Sequence, residues 1–214
     1  YLKSRLVDFS SVWTQEMIED WVKLATKGEL QGTYGREETL HLQNALKHAT
    51  GVYKGRALVI GSNRPWVEAT LLSAGVSSIV TLEYGKIRSE HPAIKTMLPA
   101  QFKREFRTGA LGFFDLIVSF SSVEHSGLGR YGDALNPWGD VLEIARAHCI
   151  CKPSGSLVLA VMGDGSRDAL EFNAHRIYGH ARWPYLASNW KQVYQEPSGV
   201  QRVHVFMKKP ASGV

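Results

Sequence analysis

The chain alternates short apolar runs with segments of helical periodicity, and this pattern predicts an α/β fold. Four of the runs are almost continuously apolar and are bounded by glycine or polar residues. Strands that are buried on both faces of a parallel sheet have this pattern, because neither face of such a strand meets water. These runs lie at residues 57–60, 79–82, 113–120 and 156–162. We therefore expect a mostly parallel, doubly wound sheet.

Two further strands and a turn are predicted elsewhere in the chain. Residues 94–98 predict a short strand, and residues 200–207 alternate in polarity, which is typical of a last, antiparallel strand. Residues 152–155, with the sequence K-P-S-G, predict a turn directly before the buried strand at residues 156–162.

Helical periodicity begins near the N-terminus. Two amphipathic helices are predicted at residues 12–27 and 36–49. We expect residues 1–50 to form a helical cap on an α/β domain of residues 51–214. Further helical segments are predicted at 65–75, at 99–106, from Pro137 onward with Asn136 as N-cap, at 167–175 and at 183–190.

The turn after the first buried strand is a candidate ligand site. Gly61 ends the strand and Pro65 suits the first turn of a helix, so the N–H groups between them can face an anionic or polar ligand. Asn63 and Trp66 occupy the positions where a dinucleotide site needs its second and third glycines. No Walker Lys-Ser/Thr pair is present either, so the turn predicts a ligand other than a diphosphate.

Glu83 and Tyr34 are candidate neighbours of that turn. Glu83 follows the second strand, 22 residues after Gly61, where an acid accepts hydrogen bonds from a ribose diol. A solvated loop acid is the other interpretation. Tyr34 lies in a loop between two glycines, where it can lean over a pocket or form an ordinary surface turn.

The polar, glycine-rich segment 121–133 is the strongest candidate for chemistry. It follows a buried strand, and ligand crevices form beyond the carboxyl ends of strands in open α/β sheets. His125 is a candidate general base because its unperturbed pKa is near neutrality. Glu124 can orient His125 or point away from it into the helical region. Asp133 is a second candidate base, and His175 can reach the same site from a later loop. We assign no metal because these residues lack fixed ligand spacing, although a divalent cation stays an alternative.

Composition adds few constraints. The chain has 214 residues, a formal net charge of +5 and a pI near 9.2, and its basic residues are scattered, so the sequence gives no strong nucleic-acid signal. Cys149 and Cys151 are too close for a good disulfide or metal site and are expected to be buried thiols. No apolar run approaches the length of a membrane span, which predicts a soluble chain. Tyr1 is compatible with excision from a longer precursor.

Together, residues 55–208 resemble class I S-adenosylmethionine-dependent methyltransferases. The matching stretches are F-D-L-I-V-S, S-V-E-H and K-P-S-G. More closely, the chain resembles an uncharacterised methyltransferase-like family first described from nematodes, which carries S-V-E-H-S-G-L-G-R-Y-G-D and F-N-A-H-R-I-Y. This resemblance implies a Rossmann-like fold and S-adenosyl-L-methionine as cofactor.

The resemblance also implies a set of cofactor-binding residues. The turn after the first strand would hold the methionine moiety and Glu83 the ribose, with hydrogen bonds from Ser62 and Asn63 and an ion pair from Arg64 to the methionine carboxylate. The cofactor-binding set is Gly61, Ser62, Asn63, Arg64, Glu83, Tyr84, Ser119, Ser121 and Tyr34. The chain departs from the usual first motif, acid-x-Gly-x-Gly-x-Gly, because it has one glycine there and no acid.

Our leading hypothesis is an O-methyltransferase that acts on a hydroxyl of a sugar or small metabolite, with His125 as general base. The glycine-poor first motif favours an alternative, a non-catalytic binding or regulatory protein with a degenerate fold. A further alternative, suggested by the basic pI alone, is a nucleic-acid methyltransferase. The acceptor, the oligomeric state and the compartment are left open.

Overall fold

A seven-stranded sheet forms the centre of the protein, with helices on both faces. The computed structural model describes residues 11–163, 165–172, 174–197, 199 and 201–209. The strands are β1 (Ser11–Trp13), β2 (Arg56–Ile60), β3 (Ser78–Leu82), β4 (Ile87–Ser89), β5 (Ile94–Met97), β6 (Phe114–Phe120), β7 (Cys151–Met162), β8 (Ala169–Leu170), β9 (Arg176–Ile177), β10 (Trp190–Gln195) and β11 (Gln201–Lys208). The helices are α1 (Gln15–Thr26), α2 (Arg36–Leu46), α3 (Trp66–Ser73), α4 (Pro99–Thr108), α5 (Gly139–Ile150) and α6 (Trp183–Leu186).

The strand order of the sheet is β10-β11-β7-β6-β2-β3-β5. The strands from β7 to β5 in this order run parallel, whereas β11 is antiparallel to β7 and to β10. This confirms the predicted fold class, including the antiparallel last strand. The chain winds outward from β2 through β3 to β5 and then returns to β6, so the order reverses between β2 and β6. Ligands of open α/β sheets bind beyond the carboxyl ends of the strands at such a reversal.

Each face of the sheet carries its own apolar cluster. Leu58 of β2 belongs to the cluster that contains residues of α4, α5 and α6, whereas Val59 belongs to the cluster that contains residues of α1, α2 and α3. Because both faces are covered, the central strands are apolar at nearly every position. The N-terminal helices α1 and α2 thus share one core with the sheet. Of the predicted cap, residues 1–10 lie outside the described residues.

The first helix begins later than its hydrophobic pattern predicts. Residues 11–13 instead form β1, which pairs in parallel with β4. Helix α1 starts only after Thr14, whose side chain accepts a hydrogen bond from the N–H of Met17. Near the fifth helix, Asn136 accepts from the N–H of Trp138 and the helix begins at Gly139, two residues beyond the predicted start.

Three predictions in the C-terminal half are wrong. The predicted turn at 152–155 is part of the long strand β7. The predicted helix at 167–175 is replaced by the hairpin of β8 and β9, and Asp168 accepts hydrogen bonds from three backbone N–H groups further along, which competes with helix formation. The predicted helix at 183–190 is a single turn followed by β10, an edge strand whose polar, exposed positions hid its β character.

The two cysteines differ in environment. Cys151 is buried, and this burial raises the pKa of its thiol to about 11. Cys149 is exposed on α5, so the prediction of two buried thiols is wrong for this residue.

Candidate functional site

The loops after β2 and β6 touch where the strand order reverses. Gly61 ends β2 with a φ of 75°, in the left-handed region that favours glycine. A Cβ atom at this position would lie 2.0 Å from Oγ of Ser122, which belongs to the loop after β6. The single glycine of the first motif therefore serves both the backbone conformation and the close approach of the two loops.

Glu83 lies beside the Gly61 turn and is held by backbone amides. Its Oε2 atom accepts a hydrogen bond of 2.8 Å from the N–H of Ser62. Its Oε1 atom accepts from the N–H groups of Tyr84 at 2.6 Å and Gly85 at 3.3 Å. The structure thus brings the two predicted halves of the cofactor site together. Since each carboxylate oxygen has two lone pairs, Oε2 retains capacity for one further donor.

Ser62 directs its hydroxyl into the protein rather than toward the crevice. Its Oγ atom lies 2.9 Å from the carbonyl oxygen of Arg64 and 2.9 Å from Oε2 of Glu68. Glu68 lies on α3 and is fully buried, and its Oε1 accepts a hydrogen bond of 2.7 Å from Thr81. Burial raises the pKa of Glu68 to about 7. Sequence reasoning missed Glu68, although an acid inside an otherwise apolar helix was an available signal.

The remaining predicted residues of the first turn lie at its surface. Asn63 and Arg64 are exposed, and the guanidinium of Arg64 lies 5.2 Å from the ring centroid of Trp21 on α1. Tyr84 is also exposed, at the end of β3. These side chains form a rim around the turn that Gly61 and Ser62 shape.

Tyr34 packs over the carboxyl end of β6. Its ring stacks on Phe120 with a centroid distance of 5.7 Å, and Phe120 in turn contacts Trp66 edge-on at 4.8 Å. Burial raises the pKa of the Tyr34 phenol, and the neighbouring Ser121 hydroxyl opposes this shift. The N-terminal loop is thereby tied to the segment that follows β6.

Ser121 is the centre of a buried polar cluster. Its φ of 50° is unusual for a residue other than glycine, and such strain is concentrated at functional sites. Ser121 Oγ donates to Oε1 of Glu124 at 2.9 Å and accepts from Nε2 of Gln201 at 3.1 Å. Burial raises the pKa of Glu124 to about 7.

Three buried atoms near this cluster have no hydrogen-bond partner among the residues that the structure describes. They are Glu124 Oε2, Gln201 Oε1 and Oγ of Ser119 on β6. Buried polar atoms are nearly always satisfied, so this concentration indicates a place where donors from a ligand or water are expected. Sequence reasoning named Ser119 but missed Gln201, which lies in the last strand.

His125 is oriented by a backbone carbonyl. Its Nδ1 atom lies 2.6 Å from the carbonyl oxygen of Ala174, in the loop between β8 and β9. A carbonyl oxygen only accepts, so Nδ1 carries the proton and the lone pair of the neutral ring is on Nε2. Burial lowers the pKa of His125, and the positive charge of Arg130 acts in the same direction. A neutral imidazole with a free Nε2 is the form that a general base needs.

The other predicted acid–base residues have different surroundings. The rings of His175 and His125 lie 5.9 Å apart, so the structure brings these two residues together. Asp133 Oδ2 accepts a hydrogen bond of 2.6 Å from the N–H of Gly127, which makes this carboxylate a support of the loop. Glu124 adopts the predicted orientation that points away from His125, toward Ser121, and the Ala174 carbonyl orients His125 instead.

Arg176 fastens the His125 segment to the hairpin of β8 and β9. The side chain is only 4% exposed. Its guanidinium donates to the carbonyl oxygens of Ser126 at 2.6 Å, Asn136 at 3.3 Å, Glu124 at 3.4 Å and Pro137 at 3.4 Å. Arg176 lies in the F-N-A-H-R-I-Y motif, so this one side chain joins that motif to the S-V-E-H segment. Asn173 of the second motif lies outside the described residues.

Asp140 forms an ion pair with Arg176 and with neighbouring donors. This carboxylate is fully buried, and it accepts from Tyr178 at 3.0 Å and from Arg182 at 2.5 Å. The Nε atom of Arg176 lies 3.7 Å from its Oδ2. Sequence reasoning missed the roles of Arg176 and Asp140, because an isolated arginine or aspartate carries no sign of its distant partner.

The sheet order, the glycine turn and the acid after β3 define the fold of the S-adenosylmethionine-dependent methyltransferases. A family model described as "Caenorhabditis protein of unknown function, DUF268" matches residues 54–205, and the chain belongs to this family. The predicted resemblance to a nematode methyltransferase-like family is thereby confirmed. No curated protein matches the chain significantly.

Solved structures share this fold at low sequence identity. The Burkholderia thailandensis 1,6-didemethyltoxoflavin-N1-methyltransferase, solved with 1,6-didemethyltoxoflavin and S-adenosylhomocysteine, is 15% identical with a TM-score of 0.58, covering 91% of this chain and 88% of its own. The N-methyltransferase NodS from Bradyrhizobium japonicum, in complex with S-adenosylhomocysteine, is 12% identical with a TM-score of 0.55, covering 92% and 98%. The mitomycin 7-O-methyltransferase MmcR is 14% identical with a TM-score of 0.51, covering 88% and 60%.

The described residues also bear on membrane spans and metal sites. No helix in this part of the chain is long and apolar enough to span a bilayer. No group of three or more His, Cys, Asp or Glu side chains among these residues could hold a metal ion.

Proposed function

We propose that this protein is an S-adenosylmethionine-dependent methyltransferase that methylates a hydroxyl group of a sugar or small metabolite, with His125 as general base. The observation that carries the proposal is the neutral, carbonyl-oriented imidazole of His125 at the carboxyl end of β6. That end lies beside the glycine turn and the acid that suit a nucleoside.

The residues of the crevice fit this cofactor in their chemistry. Glu83 Oε2 can accept from a ribose hydroxyl, and the unpartnered acceptors of Ser119, Glu124 and Gln201 favour a donor-bearing or cationic group nearby. Gly61 and Ser62 would supply the backbone of the methionine end of the site. When bound, S-adenosylmethionine supplies an electrophilic methyl group.

The chain's own residues would then align the acceptor and remove its proton. His125 Nε2 would take the proton of the acceptor hydroxyl and become a protonated imidazole, and the acceptor oxygen would receive the methyl group that a bound cofactor supplies. Hydrogen bonding from Nδ1 to the Ala174 carbonyl stabilises that imidazolium. Tyr131, whose ring centroid lies 5.6 Å from that of His125, and His175 would form the acceptor side of the crevice.

Calorimetry with S-adenosylhomocysteine tests the cofactor part of the proposal. The wild-type protein is expected to bind it, and Glu83→Ala is expected to weaken binding by roughly 10- to 100-fold, because a hydrogen bond to a charged group contributes about 1.5–3 kcal/mol. Absence of binding by the wild-type protein would refute the enzyme and favour the non-catalytic alternative.

Methyl transfer from labelled S-adenosylmethionine to a panel of sugars and hydroxylated metabolites tests the base. His125→Gln is expected to retain S-adenosylhomocysteine binding and to lose about 10²–10⁴-fold in kcat. The control is His180→Gln, which changes an exposed histidine elsewhere in the same half of the chain. Full activity of His125→Gln would remove His125 from this role.

A further inference from the structure

Glu68 is a fully buried acid directly beneath the turn that follows β2. It has 0% exposure, and its carboxyl oxygens contact the hydroxyl groups of Thr81 and Ser62. Glu68 forms no salt bridge in the described part of the chain, and the negative charge of another acid, Glu83, raises its pKa further. A buried carboxylate without a cation is strongly disfavoured, so the protein is expected to keep this group neutral.

The count of protons around Ser62 leads to the same conclusion. The Ser62 hydroxyl has one proton but lies 2.9 Å from each of two oxygens, the Arg64 carbonyl and Glu68 Oε2. The Arg64 carbonyl can only accept, and an ionised Glu68 can only accept as well, so one hydroxyl proton cannot fully serve both oxygens. Both contacts are hydrogen bonds at the same time only if Glu68 is protonated and donates to Ser62. A chain of donors results, from Glu68 to Ser62 to the Arg64 carbonyl.

We propose that Glu68 is a neutral carboxylic acid that positions the turn after β2 through Ser62, and that cofactor binding weakens when Glu68 ionises. The second half of this proposal rests on the proposed function. Ser62 lies between two acids with different roles, because Glu83 accepts from its N–H, whereas a protonated Glu68 would donate to its hydroxyl oxygen, which lies 2.9 Å from Oε2.

Ionisation of Glu68 has a defined structural consequence. The charged carboxylate would draw the Ser62 proton away from the Arg64 carbonyl, which would lose the hydrogen bond that closes the turn. The negative charge of Glu83 opposes ionisation, and burial does so more strongly, so the change occurs as the pH rises through neutrality.

Carbon NMR of selectively labelled glutamate side chains tests the protonation state without any ligand. The Glu68 carboxyl, assigned from the signal that disappears in Glu68→Gln, is expected to titrate near neutral pH, and the amide signals of Ser62 and Asn63 are expected to follow it. A Glu68 carboxyl that is ionised from about pH 5 upward, as an exposed glutamate would be, overturns the proposal. So do amide signals that ignore the titration. If the variant fails to fold, the wild-type titration and its coupled amide shifts decide the question alone.

The pH dependence of S-adenosylhomocysteine binding tests the link to the cofactor. Wild-type Kd is expected to rise by up to about tenfold per pH unit above the Glu68 midpoint. Glu68→Gln retains a donor for Ser62 and an acceptor for Thr81 at every pH, so its Kd is expected to match the low-pH wild-type value and to lack this rise. Equal pH slopes in the two proteins overturn the link. Absence of binding by both proteins at every pH refutes the proposed function, while the NMR titration still decides the state of Glu68.

Discussion

Replacing Arg176 by Met tests whether this side chain holds the segment around His125 and the hairpin of β8 and β9 together. Met has a similar length and no charge, so it fills much of the space that the guanidinium occupies but donates no hydrogen bond. The substitution leaves four carbonyl oxygens without this donor and removes a cation that lies 3.7 Å from Asp140. Asp140 keeps Arg182 and Tyr178, so it is not left as an unpaired charge.

The expected loss follows from these contacts. One hydrogen bond is short, at 2.6 Å, whereas the other three lie between 3.3 and 3.4 Å and are weak. Because Asp140 stays paired, the loss is that of the hydrogen bonds to a charged donor, about 1.5–3 kcal/mol in the free energy of unfolding. At about 2–4 °C per kcal/mol for a chain of this size, the melting temperature should fall by roughly 3–12 °C.

Urea unfolding and calorimetric melting measure this loss. Arg104→Met is the matched control, because Arg104 is exposed on α4 and the change there is expected to stay within about 0.5 kcal/mol. Arg176→Lys keeps the charge but lacks the planar fork, so only part of the stability should return. A melting temperature for Arg176→Met within about 2 °C of wild type would refute the assigned role.

Three further predictions concern stability and pH. Gly61→Ala is expected to cost about 1–3 kcal/mol in urea unfolding and to weaken S-adenosylhomocysteine binding, because its Cβ would meet Ser122 at 2.0 Å and its φ is 75°; unchanged stability would contradict the close approach. Burial lowers the pKa of His204 to about 3, so the unfolded state binds the extra proton and stability should fall as the pH drops below about 6.5, by up to about 1.4 kcal/mol per pH unit. Urea titrations of His204→Phe should show a shallower slope over that range, and equal slopes would contradict the assignment. Since burial lowers the pKa of His125, the decline of kcat/KM toward acid pH should be centred below about pH 6.5, where the base becomes protonated, and an acid-side decline centred above that value would argue against it.

The sheet could be predicted from the sequence because strands that are buried on both faces appear as short apolar runs. The strands β2, β3 and β6 are apolar at almost every position, and their glycine and polar boundaries mark the ends. The pairing of Gly61 with Glu83 could be predicted for a related reason. In a βαβ unit the ends of two neighbouring parallel strands must lie at the same edge, so spacing along the chain fixes proximity in space.

The elements of the C-terminal half could not be predicted in the same way. The edge strand β10 has one face open to solvent, and its polar residues resemble those of a helix or loop. Just ahead of the hairpin of β8 and β9, Asp168 accepts from backbone N–H groups that lie 11 to 14 residues further along the chain. Such side-chain-to-backbone bonds leave no periodic pattern, because they are set by the folded positions of both partners.

The orientation of His125 shows why residue type alone could identify the candidate base but not its support. Beside a histidine in the sequence, a glutamate is a natural orienting group, yet Glu124 turns to Ser121 and a backbone carbonyl takes that place. Because the orienting group is a backbone carbonyl, a substitution of Ala174 does not remove it. The orientation of His125 therefore depends on the position of the loop that carries Ala174. Arg176 follows that loop directly and bonds to the segment on either side of His125. The proton-accepting geometry and the docking of the hairpin are therefore one property of the fold, and a change that shifts the hairpin should disturb His125 even when it touches neither ring.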